Sequence, residues 1–152
     1  MRYADSGGKA NKIRVLALDY GERRIGIAIS DQLGKTAQPL RMIKSVGKRV
    51  NIEAVKAIID EVGAEKIILG LPLRLDGSQG TIYPKVMKFG RALEAETGLK
   101  VEYVDERFTT EEAGEVLQRA GVPGKKRGKL IDIMAAQLIL QRYLDSFSPA
   151  GE

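Results

Sequence analysis

Four carboxylates lie next to apolar segments, where an unpaired charge is costly. Asp19 closes the apolar run that begins at Ile13, and Asp105 and Glu106 close a later extended segment. Asp132 lies among the apolar residues of a C-terminal segment with helical periodicity. A buried carboxylate must be paired, protonated or bound to a cation. These acids therefore suggest metal ligands, residues for phosphate chemistry, or local structural roles.

Each acid, taken alone, also has an ordinary structural explanation. Asp19 could lead into a turn before Gly21, and Asp105 and Glu106 could end a strand facing water. Asp132 could lie in the first turn of its helix, where the helix dipole stabilises a carboxylate. Their joint occurrence, at two strand ends and near one helix start, favours a different interpretation. We expect them to converge at one end of a sheet.

Converged carboxylates would suit metal-dependent hydrolysis of a phosphodiester. Because they repel one another, at least one should have a raised pKa without metal, and divalent cations would remove the repulsion. Two cations about 4 Å apart can activate a water and stabilise the leaving oxygen during in-line attack on phosphorus. The chain has neither His nor Cys, which excludes imidazole bases, thiol nucleophiles and His- or Cys-ligated zinc. Oxygen ligands favour Mg²⁺ or Mn²⁺.

Composition and charge limit the class of protein. A chain of 152 residues is enough for one domain, predicted at residues 12–146 between a flexible leader (1–11) and a tail (147–152). The absence of cysteine, of a secretory signal and of a membrane-length apolar run predicts a cytoplasmic protein without membrane contact. The net charge of +5 suits a polyanionic partner, although it could simply maintain solubility.

The hydrophobic pattern predicts an α/β fold able to bring the acids together. Two antiparallel strands flank Gly21, and a third strand contains Pro39, which suggests an edge position. Alternating helices and strands follow, with a central parallel strand at 66–70. The other predicted elements are the third strand at 37–43, helices at 51–62 and 84–97, a strand at 99–105, a helix from Thr109 with buried Ala113, Val116, Leu117 and Ala120, and a last helix at about 130–144. The expected architecture is a mixed five-stranded sheet, three antiparallel strands then parallel strands, flanked by helices.

Basic residues near the predicted acid site are candidates for phosphate contacts. Residues 121–129 are predicted to form a basic loop interrupted by glycines. The expected nucleic-acid-binding residues are Arg24, Arg107, Lys125, Lys126 and Arg127. Such contacts supply affinity and salt dependence but little sequence selectivity. A solvated connection between two helices is the alternative interpretation of this loop.

Several segments together resemble the YqgF family, RNase H-like proteins described as Holliday-junction resolvases and pre-16S rRNA nucleases. The similarity runs from about residue 13 to residue 144. It rests on residues 19–31, 70–73 with 76–78, 105–110, and 132–137 with Leu140 and Gln141.

The resemblance implies an RNase H-like fold and a divalent-metal-dependent nuclease. Asp19, Glu106 and Asp132 take the places of the family's catalytic, metal-binding acids. Strand alternation leaves the choice between Asp105 and Glu106 open, and the family pattern selects Glu106. Related junction resolvases carry a further acid one helical turn before the last one, where this chain has Lys129.

The leading functional hypothesis is processing of pre-16S rRNA during ribosome biogenesis, with Mg²⁺ or Mn²⁺ as cofactor. Its partners would be structured RNA and the precursor of the small ribosomal subunit. A Holliday-junction resolvase acting on branched DNA is an alternative with the same chemistry, and a non-catalytic RNA-binding assembly factor is another. A sugar-kinase or actin-like ATPase also begins with an acid and a glycine-containing hairpin, but 152 residues are few for its two lobes. The sequence leaves the oligomeric state undetermined.

Overall fold

The computed structural model describes residues 13–74, 76–107 and 109–147. The predicted leader and residues 148–152 of the predicted tail lie outside these ranges. The strands are β1 (Val15–Tyr20), β2 (Arg24–Ser30), β3 (Ala37–Lys44), β4 (Lys66–Leu71) and β5 (Val101–Asp105). The helices are α1 (Lys48–Val62), α2 (Tyr83–Thr97), α3 (Thr109–Arg119) and α4 (Gly124–Asp145). Within the described ranges, none of the helices combines the length and apolar character that crossing a bilayer requires.

The five strands form one mixed sheet in the order β3-β2-β1-β4-β5. Strands β1, β2 and β3 pair antiparallel, whereas β1 with β4 and β4 with β5 pair parallel. This arrangement confirms the predicted sheet and the internal position of the apolar strand β4. Pro39 lies on the edge strand β3, as predicted, where a residue without an N–H group is tolerated.

The two faces of the sheet pack against different helices. Because side chains alternate along a strand, Leu16 and Leu18 of β1 enter one core with α1 and α2. Val15 and Ala17 enter the other core, with α4. The same alternation places Asp19 on the α4 side. Val104 of β5 also packs on the α4 core, so alternation carries Glu106 to that side too.

Helix α4 begins at Gly124 rather than near residue 130, so the prediction of a basic loop through residue 129 was wrong. Extended Pro123 precedes the helix, and its carbonyl accepts a hydrogen bond from Lys126 N at 3.0 Å. Glycine costs about 1 kcal/mol relative to alanine inside a helix. Packing of a long helix against a sheet can outweigh that preference, and α4 packs across β1, β2 and β3.

Two other helices differ from their predicted limits or faces. Helix α1 begins at Lys48, before the predicted start at residue 51. Helix α3 buries Ala113 and Leu117 as predicted, but Val116 is 39% exposed and Ala120 is also exposed. Helix α3 packs on α4, and contact with one helix covers a narrower stripe than contact with a sheet would.

Candidate active site

Asp19 lies near the end of the central strand β1, on the face covered by α4. Its cross-strand partner in β2 is Gly26, which excludes the interpretation of Asp19 as a turn residue. A Cβ atom at Gly26 would lie 2.0 Å from the backbone oxygen of Asp132. The glycine therefore allows the backbone of α4 to approach the strand beside Asp19. This contact brings Asp19 and Asp132 to the same region.

Glu106 reaches the same region from the other side, directly after β5. Its backbone N–H donates to the carbonyl of Leu71 at 3.1 Å, and the hydroxyl of Thr109 donates to its carbonyl at 2.7 Å. A Cβ atom at Gly70, in β4 between β1 and β5, would lie 2.1 Å from Glu106 Oε1. Gly70 therefore leaves the space that the Glu106 carboxyl group occupies.

The carboxyl groups of Asp19 and Glu106 form a closely coupled pair. Burial, followed by the charge of Asp132, raises the pKa of Asp19 to about 7, although a hydrogen bond with Glu106 acts in the opposite direction. Burial, followed by the charge and the hydrogen bond of Asp19, raises the pKa of Glu106 to about 9. Both shifts favour the protonated forms, and the shift of Glu106 is the larger. Two ionised carboxylates in this space would repel one another.

Asp132 lies well inside α4, since the helix begins at Gly124. The suggestion that the first-turn dipole stabilises this acid was therefore wrong, because that effect falls off within the first turn. Arg24 instead supplies the compensating charge, with its Nε 2.5 Å from Asp132 Oδ2. Both side chains remain partly accessible, 33% for Arg24 and 24% for Asp132.

The structure distinguishes Asp105 from Glu106. Asp105 follows Val101 and Tyr103 to the sheet face opposite α4. Its carboxylate accepts hydrogen bonds from Arg107, at 2.9 Å from the backbone N–H and 2.8 Å from Nε. The hydrogen bond with Arg107 lowers the pKa of Asp105. Asp105 is thus an ionised and paired acid outside the Asp19–Glu106 pair.

The predicted basic residues divide into two groups. Arg24 and Arg107 are each paired with a carboxylate. Lys125 and Lys126 are exposed in the first turn of α4, and Arg127 is partly buried in the same helix. The first turn of α4 therefore presents the lysines on a helix rather than on a loop.

The acid site fits a hard divalent cation in the type of its donors and in one unpaired oxygen. Glu106 Oε1 is buried and has no hydrogen-bond partner among the described residues. Across those same residues, however, no three acids are close enough together to hold a metal ion. The ion pair with Arg24 engages the carboxylate of Asp132, the third predicted ligand. The three-ligand assignment therefore remains a prediction.

Sequence reasoning missed Gly26 and Gly70, which create the space for the acids. Each interrupts an apolar strand, and glycine in a strand interior often marks a close approach of another chain segment. That signal was available in the sequence. The identity of the approaching group was not.

Comparisons with known proteins identify relatives over most of the chain. A family model described as "RuvX: Holliday junction resolvase" matches residues 13–146. A protein from Syntrophus aciditrophicus named "Putative pre-16S rRNA nuclease" is 47% identical over 136 residues, covering 90% of this chain and 91% of its own. A protein of the same name from Clostridioides difficile is 48% identical over 132 residues, covering 87% and 94%.

Solved structures support the fold. Fowlpox virus resolvase in complex with Holliday junction DNA matches with a TM-score of 0.59 and 17% identity, over 90% of this chain and all (100%) of that chain. Thermus thermophilus RuvC in complex with a Holliday junction matches with a TM-score of 0.52 and 13% identity, over 88% and 94%. Both share the RNase H-like architecture described above. Given the family match across residues 13–146 and relatives 47% and 48% identical, the chain belongs to the RuvX family, the YqgF family indicated by its motifs.

Proposed function

We propose that this protein is a divalent-metal-dependent nuclease that cleaves phosphodiester bonds of structured RNA, with precursor 16S rRNA as its substrate. The observation that carries the proposal is the Asp19–Glu106 pair, two partly buried acids with raised pKa values beside a third acid. Strongly perturbed pKa values of this kind are concentrated at functional sites. The names of the relatives supply the substrate. The absence of cysteine accords with action in the cytoplasm.

The chain's own residues can be given roles in this reaction. Asp19, Glu106 and Asp132 would hold the cation, Mg²⁺ or Mn²⁺, which suits oxygen ligands. When bound, a divalent cation supplies an activated water and stabilises the leaving oxygen. To become a ligand, Glu106 would have to be deprotonated, a form that its raised pKa disfavours without a cation. Lys125 and Lys126 would hold the phosphate backbone at the start of α4.

The test is incubation of the purified protein with precursor 16S rRNA, with and without Mn²⁺, beside the Asp132→Asn variant. We expect cleavage by the wild type only with Mn²⁺. The Asp132→Asn rate should be lower by about a hundredfold or more, since even groups that only support metal ligands contribute about 10–100-fold. Cleavage that persists in Asp132→Asn would contradict the site assignment.

A four-way DNA junction is the second substrate to include, because the matching family model is described as a Holliday junction resolvase. Both substrates would use the same acids. Cleavage of the junction alone would move the proposal from RNA to DNA. RNA binding that needs none of the three acids, with no cleavage of either substrate, would favour the assembly factor without nuclease activity.

A further inference from the structure

Arg24 occupies a position between the acid site and the start of α4. It is the first residue of β2, and its guanidinium contacts Asp132, 108 positions later in the chain. The same group lies over Gly128, one helical turn before Asp132, where a Cβ atom would be 3.1 Å from Arg24 Nη2. The glycine leaves room for the guanidinium to lie across the helix.

Through this contact, the guanidinium group of Arg24 neutralises the charge of the Asp132 carboxylate. A charge-assisted hydrogen bond of this kind occupies a carboxylate oxygen that a metal ion would otherwise use. Asp132 is also the one of the three predicted ligands whose carboxylate is paired with an arginine. The arginine and a divalent cation would therefore compete for the same carboxylate.

The Arg107–Asp105 pair involves none of the three predicted metal ligands, in contrast to the Arg24–Asp132 pair. Arg107 binds an acid two residues earlier in the chain and on the opposite face of the sheet. That pair is local and does not include Asp19, Glu106 or Asp132. Arg24 is the arginine that joins the strand hairpin to one of the three predicted ligands.

We propose that Arg24 is a latch: without a divalent cation it holds the Asp132 carboxylate, and it releases that carboxylate when a cation binds between the acids. This inference rests on the proposed metal-dependent function. Arg24 then acts as a positioning residue that lowers the affinity of the site for metal. Its partial exposure gives the released guanidinium a route to solvent.

The latch can be tested by calorimetric titration with Mn²⁺ alone, without nucleic acid. Arg24→Gln removes the competing cation, and we expect it to bind Mn²⁺ about tenfold more tightly than the wild type, the factor expected for loss of one charge-assisted hydrogen bond. Gly128→Ala keeps Arg24 but crowds its guanidinium group. The affinity of this variant for Mn²⁺ should lie between the affinities of the wild type and Arg24→Gln. Arg41→Gln is the matched control, because it removes an arginine that is paired with Glu61 at 2.8 Å on β3. Its affinity should equal that of the wild type.

The outcomes separate the latch from the function on which it depends. If the wild type binds Mn²⁺ and Arg24→Gln binds it with equal or lower affinity, the latch is wrong but the metal site is supported. If the wild type and all variants bind no Mn²⁺, both the latch and the metal dependence are wrong. Circular dichroism melting of each variant checks folding, and Gly128→Ala provides the same test if Arg24→Gln fails to fold.

Discussion

The α4-facing side of the sheet carries ionisable groups at both ends. The two ends differ in whether each group has a partner of opposite charge. At the start of β4, Lys66 forms an ion pair with Glu102 and donates to the Tyr143 hydroxyl at 2.5 Å. At the far end, Asp19 and Glu106 face one another. The first group compensates its own charges. The second group instead brings acidic side chains together.

The pKa shifts express this difference. Burial acts to lower the pKa of Lys66, but hydrogen bonds with Glu102 and Tyr143 outweigh it and raise the pKa. The hydrogen bond from Lys66 lowers the pKa of Glu102, so both groups favour their charged forms. Asp19 and Glu106 are instead shifted toward their neutral forms. We infer that the Lys66 end stabilises the fold, whereas the acid end costs stability and serves binding.

The largest expected effect separates Glu106 from its neighbour Asp105. Glu106→Gln should lower metal-dependent cleavage of precursor 16S rRNA by about a hundredfold or more, because it removes a predicted metal ligand. Asp105→Asn, on the opposite face, should change the rate far less. Measured cleavage rates of the two variants check this assignment, and a larger loss in Asp105→Asn would reverse it.

The next effect concerns stability against pH in the absence of divalent cations. The folded-state pKa values of Asp19 and Glu106 exceed the ordinary values, so the folded protein keeps protons that the unfolded chain has released. The free energy of unfolding should therefore fall as pH rises from about 5 to 8, by several kcal/mol.

Urea unfolding at pH 5 and pH 8 measures this slope, and Asp19→Asn tests its origin. The substitution removes the coupled charge, so the variant should be more stable than the wild type at pH 8 and depend less on pH. An equal slope in wild type and variant would show that the pH dependence arises elsewhere.

Gly26→Ala tests the close packing of α4 against β2, which brings Asp132 near Asp19. The new Cβ atom would clash with the backbone oxygen of Asp132, 2.0 Å away. Overpacking of this kind should lower the free energy of unfolding by about 1–3 kcal/mol. Chemical denaturation measures the loss. Gly47→Ala is the matched control, since a Cβ atom at Gly47 would have no neighbour within 4 Å.

The smallest expected effect concerns the end of the sheet where Lys66 is paired with Glu102. Lys66→Met keeps most of the side-chain volume but leaves Glu102 without its closest cation, so we expect a loss of about 1–2 kcal/mol in the free energy of unfolding. The cleavage rate should stay unchanged, because Lys66 lies at the opposite end of β4 from Gly70 and Glu106. A large loss of cleavage in the folded variant would break the distinction between the two ends.

Individual residues show where sequence reasoning succeeded and where it failed. The apolar run of β4 and the position of Pro39 were read correctly, because burial and hydrogen bonding constrain strands locally. The start of α4 was misjudged because glycines opposed a helix that tertiary packing stabilises. Lys125 and Lys126 consequently lie on a helix.

The sequence by itself determined which chemistry is available. Without His or Cys, only carboxylates, lysine, tyrosine and hydroxyl groups remain for catalysis, and the apolar alternation specifies the strands that carry the acids. The tertiary structure decided which acids meet. It brought Glu106 rather than Asp105 to Asp19, and it paired Asp132 with Arg24. The reason is physical: charge interactions and burial depend on distances between residues far apart in the chain, and packing at residues such as Gly26 sets those distances.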